Sequence, residues 1–360
     1  MTRAAGAASA AGTAGTALRQ ARRWLPWLVA AAILAVLILR LPRAQLLHSL
    51  AAGPSWKVAL CSAAVVGAAL FADVWATLAA FAATGVRCHW RGVLPARGAT
   101  YLLGLLNFAV GQGGMGLYLH RAGVAPLRVL GTLLFLFATQ VGALAAVAAA
   151  GTLPPALGVG GGPLAGSLPL LAAVTAVTAL VAAFAVLLVL LARRPAWLSR
   201  YRFLAPAFAA GGGGFLRATA ARLPHVVTMV AGLWLGLRLW GVALPLARGL
   251  VVLSVAVLVT VLPIAPSGLG TLELALVELT SAYAPGPTAA AQRASVLAFS
   301  FVYHLFSIAA QAAVGLLCLA WLARRARSGR ARGDGSAAEC VIVPLPALGQ
   351  AIDRSARITR

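Results

Sequence analysis

The stretch VLPIAPSGLGTLELALVELTSAY, residues 261–283, sets Glu273 and Glu278 in an apolar region directly behind two prolines and two glycines. Acidic residues are scarce in this chain. The six are Asp73, Glu273, Glu278, Asp334, Glu339 and Asp353, and the last three fall in a polar tail. An ionisable side chain at membrane depth is costly unless it faces the interior or finds a partner, so Asp73, Glu273 and Glu278 are the candidates for chemistry. Glu273 fits two roles. It can sit in the first turn of a helix capped by Ser267 or Thr271, favoured there by the helix dipole. Alternatively it can bind a cationic group or a proton in a cavity, which is the reading preferred at membrane depth. Glu278 lies five positions later, off that helical face, and reads as interfacial or structural.

Partners for Glu273 come from one helical face downstream. Arg293, Ser300, His304, Ser307 and Gln311 recur at spacings of seven, four, three and four. Arg293 and His304 are read as contacts for a phosphate, whereas Ser300, Ser307 and Gln311 suit cavity lining and interhelical hydrogen bonding equally. Asp73 shares a face with Ser62, Thr77 and Thr84, and fits either an ion pair with an arginine or histidine across the bundle or a headgroup site.

Other chemistries lack their residues. His48, His89, His120 and His225 show no metal-ligand spacing, so no metal and no cofactor is expected. A GxSxG nucleophile motif is missing. GQGGMG, residues 111–116, lacks the GK[ST] ending of a phosphate loop and is read as the apex of a re-entrant turn. Cys61, Cys88, Cys318 and Cys340 form no CxxC pair, so neither a zinc site nor a disulfide framework is expected.

The elements that must position these residues follow from composition. With 62% hydrophobic and 10% charged residues and a mean hydropathy of +0.95, the chain predicts an all-α, polytopic membrane helical bundle. The net charge of +23 lies at the ends of apolar segments, which points to membrane orientation and anionic headgroups and not to nucleic acid. Lys57 is the only lysine among many Ala, Leu, Gly, Val and Arg residues, the bias of a GC-rich bacterial genome.

Spans are predicted at residues 24–39, 58–84, 129–150, 168–192, 224–244 and 294–323. Two apolar stretches are broken. Residues 99–120 contain Gly113, Gly114 and Gly116; residues 250–283 contain Pro263, Pro266, Ser267, Gly268 and Gly270. Such a break is tolerable in a membrane only where it is buried in protein or lines a wet cavity. Placing the basic clusters inside, with both termini cytoplasmic in the plasma membrane, makes residues 99–120 a re-entrant hairpin from the cytoplasm. By the same parity residues 250–283 open outwards. GGMG at 113–116 and SGLG at 267–270 suggest an inverted repeat. The predicted plan is a cytoplasmic N-terminus at 1–23, a membrane domain at 24–323, and a basic, disordered cytoplasmic tail at 324–360. The membrane domain divides into halves 24–192 and 223–323 around a linker at 193–222.

LPIAPSGLGTLELALVEL, followed by QRASVLAFSFVYHLF, resembles the membrane region of lysylphosphatidylglycerol synthases and the related stand-alone integral membrane proteins. YLLGLLNFAVGQGGMGLYLHRAGV is similar to the same family's first broken element, with Asn107, Gly114 and Arg121 matching and the usual proline absent. The resemblance implies re-entrant elements and translocation of lipid between leaflets, with membrane lipids as partners. The segment after Arg324 is too short for those synthases' aminoacyl-transfer domain, so no enzymatic activity is expected. Two alternatives stand beside a lipid or lipid-linked substrate translocase. One is a scaffold whose C-terminal tail docks a membrane partner, and the other is an enzyme acting on polyprenyl-linked substrates.

Overall fold

The computed structural model describes residue 28 and residues 31–39, 43–156, 168–261, 266–332 and 340–342. Its architecture is an all-α membrane bundle. Five helices among the described residues are long and apolar enough to cross a bilayer: α3 (Ser55–Ala83), α6 (Pro126–Ala156), α7 (Leu168–Arg193), α9 (Ala205–Leu239) and α12 (Ala289–Arg332). Ahead of them, α1 (Ala31–Leu39) and α2 (Arg43–Ala52) meet at 100°.

Side-chain distribution on α3 is that of a lipid-facing span. Trp56, Leu60, Phe71 and Trp75 point outwards, while Cys61, Ser62, Ala69, Asp73, Thr77 and Ala80 are buried. Small and polar residues inside let backbones approach closely where lipid is as apolar as leucine. Gly232 of α9 is such a point, since a Cβ there would meet Val65 of α3 at 2.3 Å.

Two helical hairpins complete the bundle. The first is α4 (Trp90–Leu106) and α5 (Phe108–Arg121); the second is α10 (Leu246–Val261) and α11 (Thr271–Thr280), and Pro263 lies outside the described residues. Their open ends lie at opposite ends of the bundle. Arg128 donates to the carbonyls of Thr84 and Gly85, which ties α6 to the end of α3 beside the base of the first hairpin. Tyr283 accepts from Ala243 N–H and Arg248 bonds its hydroxyl, which ties the end of α9 to the base of the second.

The chain order is therefore span, hairpin, span, repeated. α3, α4–α5 and α6 form one unit; α9, α10–α11 and α12 form another, entered from the opposite end because α7 crosses between them, followed by the short α8 (Ala196–Ser199). Packing obeys the same two-fold logic: α3 lies against α9, α4 lies against α12, and α10 lies correspondingly against α6. This is an inverted repeat.

Four expectations change. The apex of the first hairpin is Asn107, extended at φ −169°, and GQGGMG lies within α5, where Gly111 and Gly114 let α5 pack on Gly104, Leu103 and Thr100 of α4. The stretch 193–222 is not a free linker. Its Gly211–Gly214 run sits in α9, kinked where Gly211 takes φ +62°, and its Arg222 is buried because an acid lies opposite. Nor is the tail without structure: α12 continues to Arg332, and β2 (Cys340–Ile342) pairs antiparallel with β1 (Val86–Cys88). Finally, Cys88 and Cys340 are disulfide-bonded. No spacing rule could reveal a pair 252 residues apart that only the folded bundle brings together.

A protease site inserted within residues 157–167 and then cut should leave fragments that co-migrate without reductant and separate with it. Separation without reductant would show the two thiols to be unbonded.

Candidate functional site

The two hairpin tips meet each other. Breaking α4 at Asn107 leaves its last carbonyls without helical partners, and one of them, Leu105 O, accepts the Ser267 hydroxyl at 2.7 Å. Asn107 caps the next helix by accepting Ala109 N–H at 2.8 Å. On the other tip, Ser267 (φ +51°), Gly268 (φ +74°) and Gly270 (φ +82°) take left-handed conformations that turn the chain into α11. Gly268 also needs its missing Cβ, which would meet Thr260 at 2.9 Å. For Ser267 that conformation costs about 1–2 kcal/mol, and the bond to Leu105 helps hold it. Neither Ser267 nor Thr271 acts as the expected cap; Thr271 instead donates to Gly268 O at 2.8 Å.

Glu273 is fully buried in the first turn of α11. One carboxylate oxygen accepts Gly270 N–H at 2.6 Å, and the other bonds His304 Nδ1 of α12 at 2.7 Å. The contact holds the His304 ring in one orientation on α12. His304 lines the cavity and Glu273 does not, so the carboxylate reaches the chamber through His304.

Asp73 of α3 is the second buried acid, 1% exposed. Arg97 Nε of α4 donates to one of its oxygens at 2.6 Å, and Arg222 Nη1 of α9 donates to the other. Arg97 also reaches Gln112 Oε1 of α5 at 3.4 Å, and His225 Nδ1 donates to Ala69 O at 3.1 Å. Two guanidinium groups share one carboxylate, so a positive charge is left over in an apolar bundle.

These groups surround one cavity of about 270 Å³ between the hairpins. Asp73, Arg97, Arg222, His225, Gln112 and Gln140 contribute polar lining from the α3, α4–α5, α6 and α9 side; Ser267, His304, Ser307 and Gln311 contribute it from the other. No protein-family model matches this chain, and no curated protein matches it. The site's meaning therefore has to come from its geometry. A polar chamber at the junction of two opposed hairpins can hold the head of a ligand whose remainder stays in lipid.

Of the other sequence candidates, several lie away from the chamber. Arg293 pairs with Glu278 at 3.3 Å on the exposed surface, because the long α12 carries it to the opposite end of the bundle from the tail. Periodicity reported its face correctly but not its depth. Ser300 is buried yet bonded to Leu297 O of its own helix, and Arg121 is exposed in the last turn of α5. Gly113 is exposed and Gly116 packs on Val129 and Leu133; Pro266 and Ser267 belong to the second tip. Sequence reasoning missed Arg97, Arg222 and His225, with Arg222 falling at the end of the stretch read as a linker. The available signal was Asp73 itself, an acid in a span that needed basic partners.

Among the described residues no group of three His, Cys, Asp or Glu side chains could hold a metal. Asp73→Asn would leave two buried guanidinium groups without a counter-charge, and should cost about 3–5 kcal/mol. Arg293→Gln should cost no more than about 1 kcal/mol. Thermal unfolding of the two purified variants in detergent compares them directly; equal losses would contradict this ranking.

Proposed function

We propose that this protein is a translocase for a lipid or lipid-linked substrate. The observation that carries the reading is the meeting of two oppositely entering hairpins around a polar cavity inside an inverted repeat. That arrangement suits alternating access, in which one repeat rocks against the other around a fixed central site. Acyl or prenyl chains stay in the bilayer while the head occupies the chamber. The resemblance of the second hairpin and α12 to the membrane region of lysylphosphatidylglycerol synthases supports the same reading.

His304 is assigned to touch the head, with Glu273 as its positioning residue. The transport step needs no bond making, and the chain offers no nucleotide-binding motif, so movement is downhill or coupled to an ion gradient. We place the end carrying Arg87, Arg121, Arg193 and Arg324 in the cytoplasm of a bacterial plasma membrane, by the positive-inside rule. The Cys88–Cys340 bond at that end pulls the other way, since disulfides persist on oxidising faces. The greater number of arginines decides our assignment.

The scaffold reading rests on the tail. Cys340–Ile342 of that tail is paired with β1 of the same chain, while the Val341 and Ile342 side chains stay exposed.

The test is leaflet exchange of fluorescent anionic, zwitterionic and aminoacylated lipids by the purified protein in liposomes. Glu273→Gln and His304→Ala should each slow exchange about tenfold or more, as losing roughly 1.4 kcal/mol of barrier lowering would do. Arg293→Gln should leave the rate unchanged. Exchange of no lipid by the wild type would overturn the reading and favour the scaffold.

A further inference from the structure

Arg222 carries an unused recognition edge. Its side chain is 2% exposed and lines the cavity, and its Nη1 is held by Asp73. Nε and Nη2 have no hydrogen-bond partner among the described residues. Those two nitrogens are not an arbitrary pair. In a planar guanidinium whose Nη1 lies on the Cδ side, the N–H bonds of Nε and Nη2 run parallel along one edge. This is the fork that takes two oxygens of a phosphate or carboxylate at once. A buried cationic donor without an acceptor is expensive, by more than a neutral one, and such groups call for an explanation.

The charge of the surroundings has the same sign. Arg97 and Arg222 share the single carboxylate of Asp73, so the cluster carries one positive charge that no described side chain neutralises. Glu273 does not supply the missing acceptor: it is bonded to Gly270 and His304 and is not among the residues that line the cavity. An oxyanion on the free edge would satisfy both demands, the orphan donors and the surplus charge.

We infer that Arg222 is the docking residue for a phosphate-class oxyanion, bound side-on through Nε and Nη2, with Asp73 and Arg97 as positioning residues. This deepens the translocase reading and rests on it for the identity of the ligand as a lipid head. Both nitrogens are closed off in the present conformation, so docking requires the residues packed around Arg222 to rearrange. Asp73 joins α3 to α9 through the same guanidinium that takes the ligand, and to α4 through Arg97. Binding and rearrangement of the repeat interface are therefore linked at one side chain.

The test uses the full-length protein in detergent, titrated with short-chain phosphatidic acid, with diacylglycerol of the same chains, and with inorganic phosphate, and read by native mass spectrometry and thermal shift. Phosphatidic acid is expected to bind and stabilise, and diacylglycerol is not. Arg222→Lys keeps the charge and the pairing with Asp73 but lacks the planar edge, and should weaken phosphatidic acid binding roughly tenfold or more. Arg293→Lys serves as the control and should bind as the wild type does. The double variant Asp73→Asn/Arg222→Gln removes both charges together and should lose binding as well, which keeps the inference testable if Arg222→Lys does not fold.

Competition by inorganic phosphate at millimolar levels would support the oxyanion site and identify phosphate itself as the recognised group. Binding by phosphate with none by phosphatidic acid would support the site while assigning it to a free anion. Equal binding of phosphatidic acid and diacylglycerol by the wild type, or undiminished phosphatidic acid binding by Arg222→Lys, would overturn the inference. Leaflet exchange measured on the same preparations reports separately on translocation. Exchange without anion selectivity would leave the translocase reading standing and remove only the oxyanion site.

Discussion

A carboxylate with two guanidinium groups in a lipid-facing bundle is the constraint from which much of this structure follows. Asp73 could not remain ionised on α3 unless basic groups reached it inside the protein. They come from α4, the first arm of the first hairpin, and from α9, the leading span of the second repeat. One acid thus fixes the depth of the hairpin and the crossing of the two repeats. The small residues along α3 and α9, with Gly232 against Val65, permit the close approach that this geometry needs.

A second constraint is backbone satisfaction. Each hairpin interrupts a helix where hydrocarbon cannot solvate the freed groups. The repairs are local and specific: Asn107 caps α5, Glu273 takes Gly270 N–H, and Ser267 takes Leu105 O from the opposite hairpin. The last of these makes each break depend on the other. Polar groups that would be ruinous against lipid become the lining of a shared chamber, so the repair of the backbone and the creation of a site are one event.

Much of this architecture was legible in the sequence, for identifiable reasons. Hydropathy located the long spans, and glycine and proline inside apolar runs located both hairpins and their opposite entry. Glu273, His304 and Asp73 stood out because ionisable residues are rare in such segments. What could not be read was depth and distance. Arg293 shares a helical face with His304 but sits at the surface, a difference set by length along α12 and invisible to periodicity. Arg222 ended a run of arginines that looked like a solvated loop, although it belongs to the core once Asp73 is placed opposite. The glycines of GQGGMG suggested a turn, yet they serve helix packing, and the chain turns at Asn107 where an amide side chain can cap. Cys88 and Cys340 gave no local signal, because only folding makes them neighbours.

The contact of Ser267 with Leu105 has an electrical consequence. On the translocase reading, the touching tips would form the barrier between the two aqueous phases, and the membrane voltage would fall most steeply across them. A full elementary charge carried through 100 mV does work of about 2.3 kcal/mol. An anionic head passing between the tips would feel most of that field within this short step. On the proposed orientation, with the arginine-rich end facing a negative interior, the field would drive such a head outwards, and the membrane itself could supply the direction.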